Sequence, residues 1–400
     1  MTDSPTPNFR DPRFLADHVR RTFAFYHPRC IDPEGGFFQF FRDDGSIYDE
    51  RTRHLVSSTR FVFNYCLGVT LLGDPGHRDQ VRHGLAFLRE RHRNPRTGGY
   101  AWILDGNTVA DATNHCYGHA FVLLAYACAL EAGVEEAGPW LEEAWELLET
   151  HFYRPQDGLY RDELSPDWKR DTGYRGQNAN MHTCEAMLAA WRATGESRYL
   201  DRADTLARGV AGRLADMAGG RIWEHYHQDW SPDWEYNRAH PDDLFRPWGF
   251  QPGHQIEWSK LLLTLHRERP DPWLVSRARA LFDYGLRVGW DDDNAGLVYG
   301  VDPQDVPCNS DKYFWVQAEA IAACARLAVE TDEDEFWVWY QRLWEYAWAH
   351  FVDHRHGAWF RILSPTNARY DDLKSPAGKT DYHTMGACAE VIHLLAAQSG

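Results

Sequence analysis

A glycine followed by aromatic or β-branched residues recurs six times in this chain: GGFFQFF, GGYAWIL, DGLYRDEL, GGRIWEHY, AGLVYGV and HGAWFRIL. With Gly36, Gly99, Gly158, Gly220, Gly296 and Gly357 as markers, the intervals are 63, 59, 62, 76 and 61 residues. A repeat of this kind builds a fold from copies of one supersecondary unit. The 400 residues are therefore expected to form one domain, 1–400, where length alone allows two or three. Each marker opens a stretch that reads as a short β-hairpin. Each is preceded by an amphipathic helix, such as PWLEEAWELLETHF, whose Trp140, Ala144, Leu147 and Leu148 share one stripe while acids fill the other side. Each is followed by a more uniformly apolar helix, among them NHCYGHAFVLLAYACAL and YFWVQAEAIAACARLA. Six half-wet helices and six buried ones close into a double ring. The expected fold is all-α, an (α/α)6 barrel of six inner and six outer helices with short β-hairpins at the active-site mouth. An open solenoid of helix pairs is the structural rival and lacks a central mouth.

The long interval holds an insertion, residues 228–250, whose place suits a lid or rim. Residues 1 to about 9 read as a flexible N-terminus. The longest apolar run, FVLLAYACAL, is too short to span a bilayer, and no apolar signal segment is visible. Eight cysteines without a C-x-x-C pair point to reduced thiols and a cytoplasmic protein. A net charge of −17 opposes binding to nucleic acid or to an anionic membrane, and is compatible with a monomer or homodimer. The 18 Trp, 19 Tyr and 20 Phe supply aromatic surface suited to the apolar faces of a sugar, although most of these rings belong to the core.

Aligning the starts of the apolar helices puts His115, His182, His254 and His383 in one slot, each three residues ahead of Gly118, Glu185, Glu257 and Gly386. The fifth helix holds Val316 and Glu319 there, beside Trp315 and Gln317, and the first holds Ser57 and Arg60. Residues three apart share a helix face, so Glu185 and Glu257 are expected to orient the histidines before them. A lone histidine is most often a cap or a core hydrogen-bonding residue. Four in equivalent slots, beside two glutamates and an arginine, point to chemistry. Histidine, with a pKa of about 6.5, takes and returns protons at neutral pH, and two on opposite walls suit general acid–base catalysis. Six helix N-termini facing one mouth favour an enolate-like anion, which Arg60 would hold. These parts fit proton abstraction beside a carbonyl.

Dinucleotide, phosphate-loop, nucleophile-elbow and H-E-x-x-H motifs are absent. Four histidines on separate helices without a local Cys or Asp make a poor metal site, so neither metal nor organic cofactor is expected. Glu185 and Glu257 also raise a glycoside hydrolase, whose inverting form needs two carboxyl groups roughly 6.5–9.5 Å apart.

The segments NANMHTCEAML, FQPGHQIEWSKLLL and KTDYHTMG, on a six-fold helical barrel, resemble the N-acylglucosamine 2-epimerase family over nearly the whole chain. The resemblance implies that His254 and His383 form the acid–base pair, with Glu257 orienting His254. It implies that Arg60 and His182 bind substrate oxygens, that Asn178 and Tyr117 face the sugar, and that Trp315 stacks on it; Glu185, behind His182, is expected among the substrate-binding residues as well. Disaccharide epimerases of the family carry a Trp shortly before the last histidine. Here SPAGKTDYH has none, and the KTDYH approach is similar to the mannose-isomerase branch. The implied activity is an aldose–ketose isomerase interconverting free D-mannose and D-fructose, with D-lyxose as a further substrate, through a cis-enediol(ate). The alternative is a 2-epimerase, in which a second histidine returns the proton to C2 from the opposite face.

Overall fold

Small and aliphatic residues crowd the six apolar helices, and a helix that is apolar on every side has to be buried. The computed structural model, which describes residues 7–398, places them as the inner wall of a closed double ring. The inner helices are α2 (Leu55–Thr70), α4 (Cys116–Glu131), α6 (Gln177–Thr194), α9 (Pro252–Glu268), α11 (Phe314–Thr331) and α13 (Tyr382–Gln398). The outer ones are α1 (Pro12–Tyr26), α3 (Arg78–Phe87), α5 (Ala137–Leu147), α7 (Ser197–Ala207) with the single turn α8 (Ala215–Met217) at its end, α10 (Pro272–Gly289) and α12 (Asp334–His350). Each inner helix packs on its two inner neighbours and on the outer helix that follows it. After α13 no outer helix remains, and α1 takes that place, shutting the ring. This is the (α/α)6 barrel. Among the described residues, no helix is long and apolar enough to cross a membrane.

The marker glycines sit where the chain leaves an outer helix and turns back. Gly36, Gly158, Gly220, Gly296 and Gly357 have φ between +67° and +89°, and in the second unit Gly98 (+77°) takes this part in place of Gly99. The hairpins differ from expectation in one respect: they interlock between units. The strand entering each inner helix pairs with the hairpin of the next unit. Thr52–His54 pairs with Ile103–Asp105, Asn114–His115 with Glu163–Leu164, and Arg175–Gly176 with His225–Tyr226. Phe250 bridges to Val301, Lys312–Tyr313 pairs with Ile362–Leu363, and Leu373–Ser375 returns to Phe40–Arg42. This belt satisfies backbone groups at a mouth where the inner helices begin.

Residues 1–6 of the expected flexible N-terminus lie outside the described residues. Phe9, placed in the same segment by the sequence reading, is buried: its ring stacks on Trp344 at 5.2 Å, and the Tyr340 hydroxyl donates to its carbonyl at 2.6 Å. The insertion folds as turns and bends, tied down by an ion pair of Arg246 with Glu163 and by the Trp248 indole on the Trp234 carbonyl.

Candidate active site

Four inner helices use their fourth residue in the same way. His119, Asn180, Gln255 and Gln317 each accept a backbone N–H from the hairpin just after the marker glycine, at Tyr100, Tyr160, Ile222 and Leu297. These bonds set a common register for the ring. In it, Tyr117, Asn178, Trp315 and His383 are the second residues of their helices and His254 the third, while Arg60, His182, Glu257 and Glu319 are the sixth. The pocket therefore has an upper layer and a floor one turn below. The single slot proposed for four histidines does not hold. His115 lies before α4, with Nδ1 3.2 Å from Glu163 and its ring against Trp102. His182, the sixth residue of α6, sits a turn deeper than His383, the second of α13.

One pocket, about 730 Å³ counted to its mouth, is lined by Arg60, Tyr117, Asn178, His182, His254, Glu257, Trp315 and His383. The helices thus bring together eight of the nine expected site residues. Glu185 does not line the pocket; it stands behind His182, and its Oε2 accepts from Nδ1 at 2.9 Å. The walls add Tyr299 and Arg361 from the neighbouring hairpins, Phe314 from the start of α11, and Leu244 and Phe245 from the insertion. Trp315 lies between the two upper imidazoles, its ring centroid 5.0 Å from that of His254 and 5.8 Å from that of His383.

Each pocket imidazole has its Nδ1 on a carboxylate: His182 on Glu185, His383 on Glu319 at 2.7 Å, and His254 on Glu224 at 2.9 Å. The carboxylate on Nδ1–H fixes the ring and its tautomer and leaves Nε2 for chemistry. Glu257 is thus not the partner of His254. Glu224 reaches it from the GGRIWEHY hairpin, which pairs with the strand entering α6. Its second oxygen accepts from the Gln177 amide at 3.0 Å, and Gln177 in turn accepts the Trp258 indole N–H at 2.7 Å. An acid inside an otherwise aromatic hairpin was the signal for Glu224. For Glu319 the sequence offers only its place in the slot that Glu185 and Glu257 also hold.

Burial, with the charges of Glu319 and Glu185, pushes Glu257 well above the usual carboxyl range, and its Oε2 has no hydrogen-bond partner. Burial also raises Glu185, but the hydrogen bond and charge of His182 outweigh it and hold that carboxylate ionised. Burial, then the Arg60, His182 and Lys260 charges, drives His383 well below 6.5; burial lowers His182 against the pull of Glu185. The pocket thus holds a neutral imidazole, His383, and a neutral acid, Glu257, beside the Arg60 guanidinium, which bonds to the Gly378 carbonyl and donates to the Tyr117 hydroxyl at 3.3 Å.

Among the described residues, two sets of donors converge within 4.8 Å, His182 with Glu185 and Glu257, and Glu257 with Glu319 and His383. Both share the neutral Glu257, and Lys260 donates to Glu319. A neutral acid and an ammonium suit proton transfer better than a divalent cation.

The N-acylglucosamine 2-epimerase family model matches residues 36–387. The chain belongs to the N-acylglucosamine 2-epimerase family. Within that family it is 53% identical to a D-mannose isomerase from Marinomonas mediterranea over 390 residues, 97% of this chain and 99% of that one. It is 22% identical to a cellobiose 2-epimerase from Ruminococcus albus, over 94% of this chain and 96% of the relative. A crystal structure of a D-mannose isomerase superposes with a TM-score of 0.96 at 52% identity, covering 97% of this chain and all of that one. The chain thus shares its length with both relatives and its barrel with the solved isomerase.

Proposed function

We propose that this protein is an aldose–ketose isomerase that interconverts free D-mannose and D-fructose by histidine acid–base catalysis. The observation that carries the reading is the set of imidazoles, each held at Nδ1 by a carboxylate, around one pocket with Arg60. The 53% identity to a protein named D-mannose isomerase supports the choice of sugar. Trp315 offers its face to the hexose, with Asn178 and Tyr117 on its hydroxyls. His254 serves the ring and C1 oxygens as the ring opens. His383, neutral and therefore basic at pH 7, takes the C2 proton on Nε2. Arg60 and His182 hold the oxygens of the cis-enediolate, and the neutral Glu257 donates a hydrogen bond toward them. His383 returns the proton to C1 on the same face while the hydroxyl proton leaves O2 and His254 protonates O1, giving the ketose. No step needs an organic cofactor or a metal, and full activity after EDTA treatment is expected.

The pocket's lining argues for a monosaccharide: the segment Pro376–Lys379 forms the wall where a disaccharide epimerase would place its Trp, and Leu244 and Phe245 face it. It also argues against a hydrolase, because Glu257 is the only carboxyl among the lining residues and an inverting pair is missing. The proposed catalytic domain is the chain 1–400, with residues 228–250 as a lid. Eight cysteines without a disulfide are in keeping with a cytoplasmic monomer or homodimer. Incubation with D-mannose followed by chromatography tests the reaction. Fructose as first product is expected; glucose first would transfer the chain to the epimerase reading.

A further inference from the structure

A second cavity, about 1550 Å³ counted to its opening, runs along the barrel axis beneath the catalytic layer. It opens among the exposed Thr70, Glu131, Arg192, Arg267 and Glu268 at the C-terminal ends of the inner helices, far from the sugar mouth. At its inner end lie Lys260, Glu319 and His383. His383 lines both cavities, so its ring is part of the partition between them.

Lys260 is the ninth residue of α9, just under one turn below Glu257, and is only 8% exposed. Its Nζ donates to Glu319 Oε2 at 2.5 Å, and Glu319 Oε1 accepts from His383 Nδ1 at 2.7 Å. Neither Lys260 nor Glu319 lines the sugar pocket. An ammonium inside a helical barrel is costly unless its charge is needed there, and an aliphatic side chain would fill the site without that cost. Three carboxyl groups, Glu185, Glu257 and Glu319, converge at and just below the floor, and like charges so close cannot all ionise; burial raises Glu319, and the charge and hydrogen bond of Lys260 pull it back down.

We infer that Lys260 is a positioning residue for the proton transfer: from the rear cavity it holds Glu319 as an anion with one oxygen on His383 Nδ1, so that His383 presents a bare Nε2 to the sugar. The inference rests on the proposed role of His383 as base. Without the ammonium, Glu319 takes a proton and can donate to Nδ1. The imidazole then turns to the Nε2–H tautomer, which cannot accept a proton from C2. The charged or titratable groups facing the pair are Arg60 from α2, His182 and Glu185 from α6, Glu257 and Lys260 from α9, and Tyr382 from α13, with Glu390 of α13 acting on Lys260. Among these the two fixed cations are Arg60, which points into the sugar pocket, and Lys260, which alone bonds to Glu319.

Lys260→Met is expected to lower kcat for D-mannose about 10–100-fold with KM within about twofold. The acid limb of its kcat profile moves to higher pH, because loss of the cation raises both Glu319 and His383. Lys260→Arg restores the wild-type profile. The double variant Lys260→Met/Glu319→Gln is no slower than Glu319→Gln alone, because both changes cut one chain. ¹⁵N NMR of histidine-labelled protein, with His383 assigned by difference from His383→Gln, reads the tautomer directly. The wild type shows Nδ1 protonated and Nε2 bare; Lys260→Met shows the tautomers mixed, and Glu319→Gln, nearly isosteric, covers the case in which Lys260→Met does not fold. A wild-type tautomer in the folded variants, or rate losses that multiply in the double variant, overturns the inference. The spectrum needs no turnover, so failure of the wild-type protein to convert D-mannose counts against the proposed reaction, while the tautomer still decides the part played by Lys260.

Discussion

Burial and the charges of Glu319 and Glu185 keep Glu257 in its acid form, so an amide at this position has nearly the same shape and the same ability to donate. Glu257→Gln should keep the rate of fructose formation within about tenfold of wild type. Glu224→Gln changes something different: it takes the anion from His254 Nδ1 and frees the ring to choose its tautomer. Its kcat should fall by about 10²–10⁴-fold with the thermal midpoint little changed, the range seen when a general acid–base imidazole is lost or misprotonated. Equal losses in the two variants would contradict these roles. The same acid makes a stability prediction. Unfolded, Glu257 titrates near the ordinary value of 4.5; folded, well above it. Between those two values the native state binds one more proton than the unfolded chain, so this residue makes stability fall as pH rises, by up to about 1.4 kcal/mol per pH unit. Glu257→Gln abolishes that slope. Urea midpoints at pH 5 and pH 8 should show the variant gaining on wild type at the higher pH, and parallel behaviour would mean that Glu257 is ionised in the fold.

At the scale of elements, the junctions ahead of the inner helices place the chemistry. The one before α13 is a strained loop in which Thr380 and Asp381 have φ of +46° and +53°, values that non-glycine residues rarely adopt. Asp381 is the hub that holds it: fully buried, it accepts from the Tyr26 hydroxyl at 2.6 Å, the Trp359 backbone N–H and the Thr384 hydroxyl, and pairs with Lys379. The loop carries the Gly378 carbonyl that Arg60 binds and leads into His383. Asp381→Asn leaves the ammonium of Lys379 buried without its anion, which should cost about 3–5 kcal/mol in a denaturant titration and reduce activity through Arg60 and His383 together. A loss below about 1 kcal/mol would mean that the pair is replaceable. These junctions are also where the amino-acid pattern stops being readable. The helix pairs, the marker turns and eight pocket residues follow from periodicity and the family's motifs, because each rests on neighbours in sequence. The pairing of Glu224 with His254 and of Glu319 with His383 spans 30 and 64 residues and depends on how a hairpin of one unit meets an inner helix and on how α11 packs beside α13. No local pattern encodes that meeting. The assignment of Glu257 to His254 failed for the same reason: a three-residue spacing puts two side chains on one helix face but does not choose among acids arriving from other elements, here a hairpin.

Closure is the property of the whole molecule. Each unit is tied to the next by inner-helix packing and by a strand pair at the mouth, and the last unit is tied to the first twice, by α1 against α13 and by Leu373–Ser375 against Phe40–Arg42. An open array of helix pairs frays from its ends, since its terminal repeats have one neighbour instead of two. Here no unit is terminal, and the catalytic layer takes side chains from α2, α4, α6, α9, α11 and α13, so opening any one unit dismantles the site. Unfolding should therefore be cooperative. Far-ultraviolet circular dichroism, tryptophan fluorescence and isomerase activity should decline along one guanidinium transition, and amides in the middle of α13 should exchange as slowly as those in α6. Faster exchange in α1 and α13 than in α6, with activity lost before the helical signal, would show that the seam between the first and last units is a weak joint and that the barrel behaves as a bent solenoid.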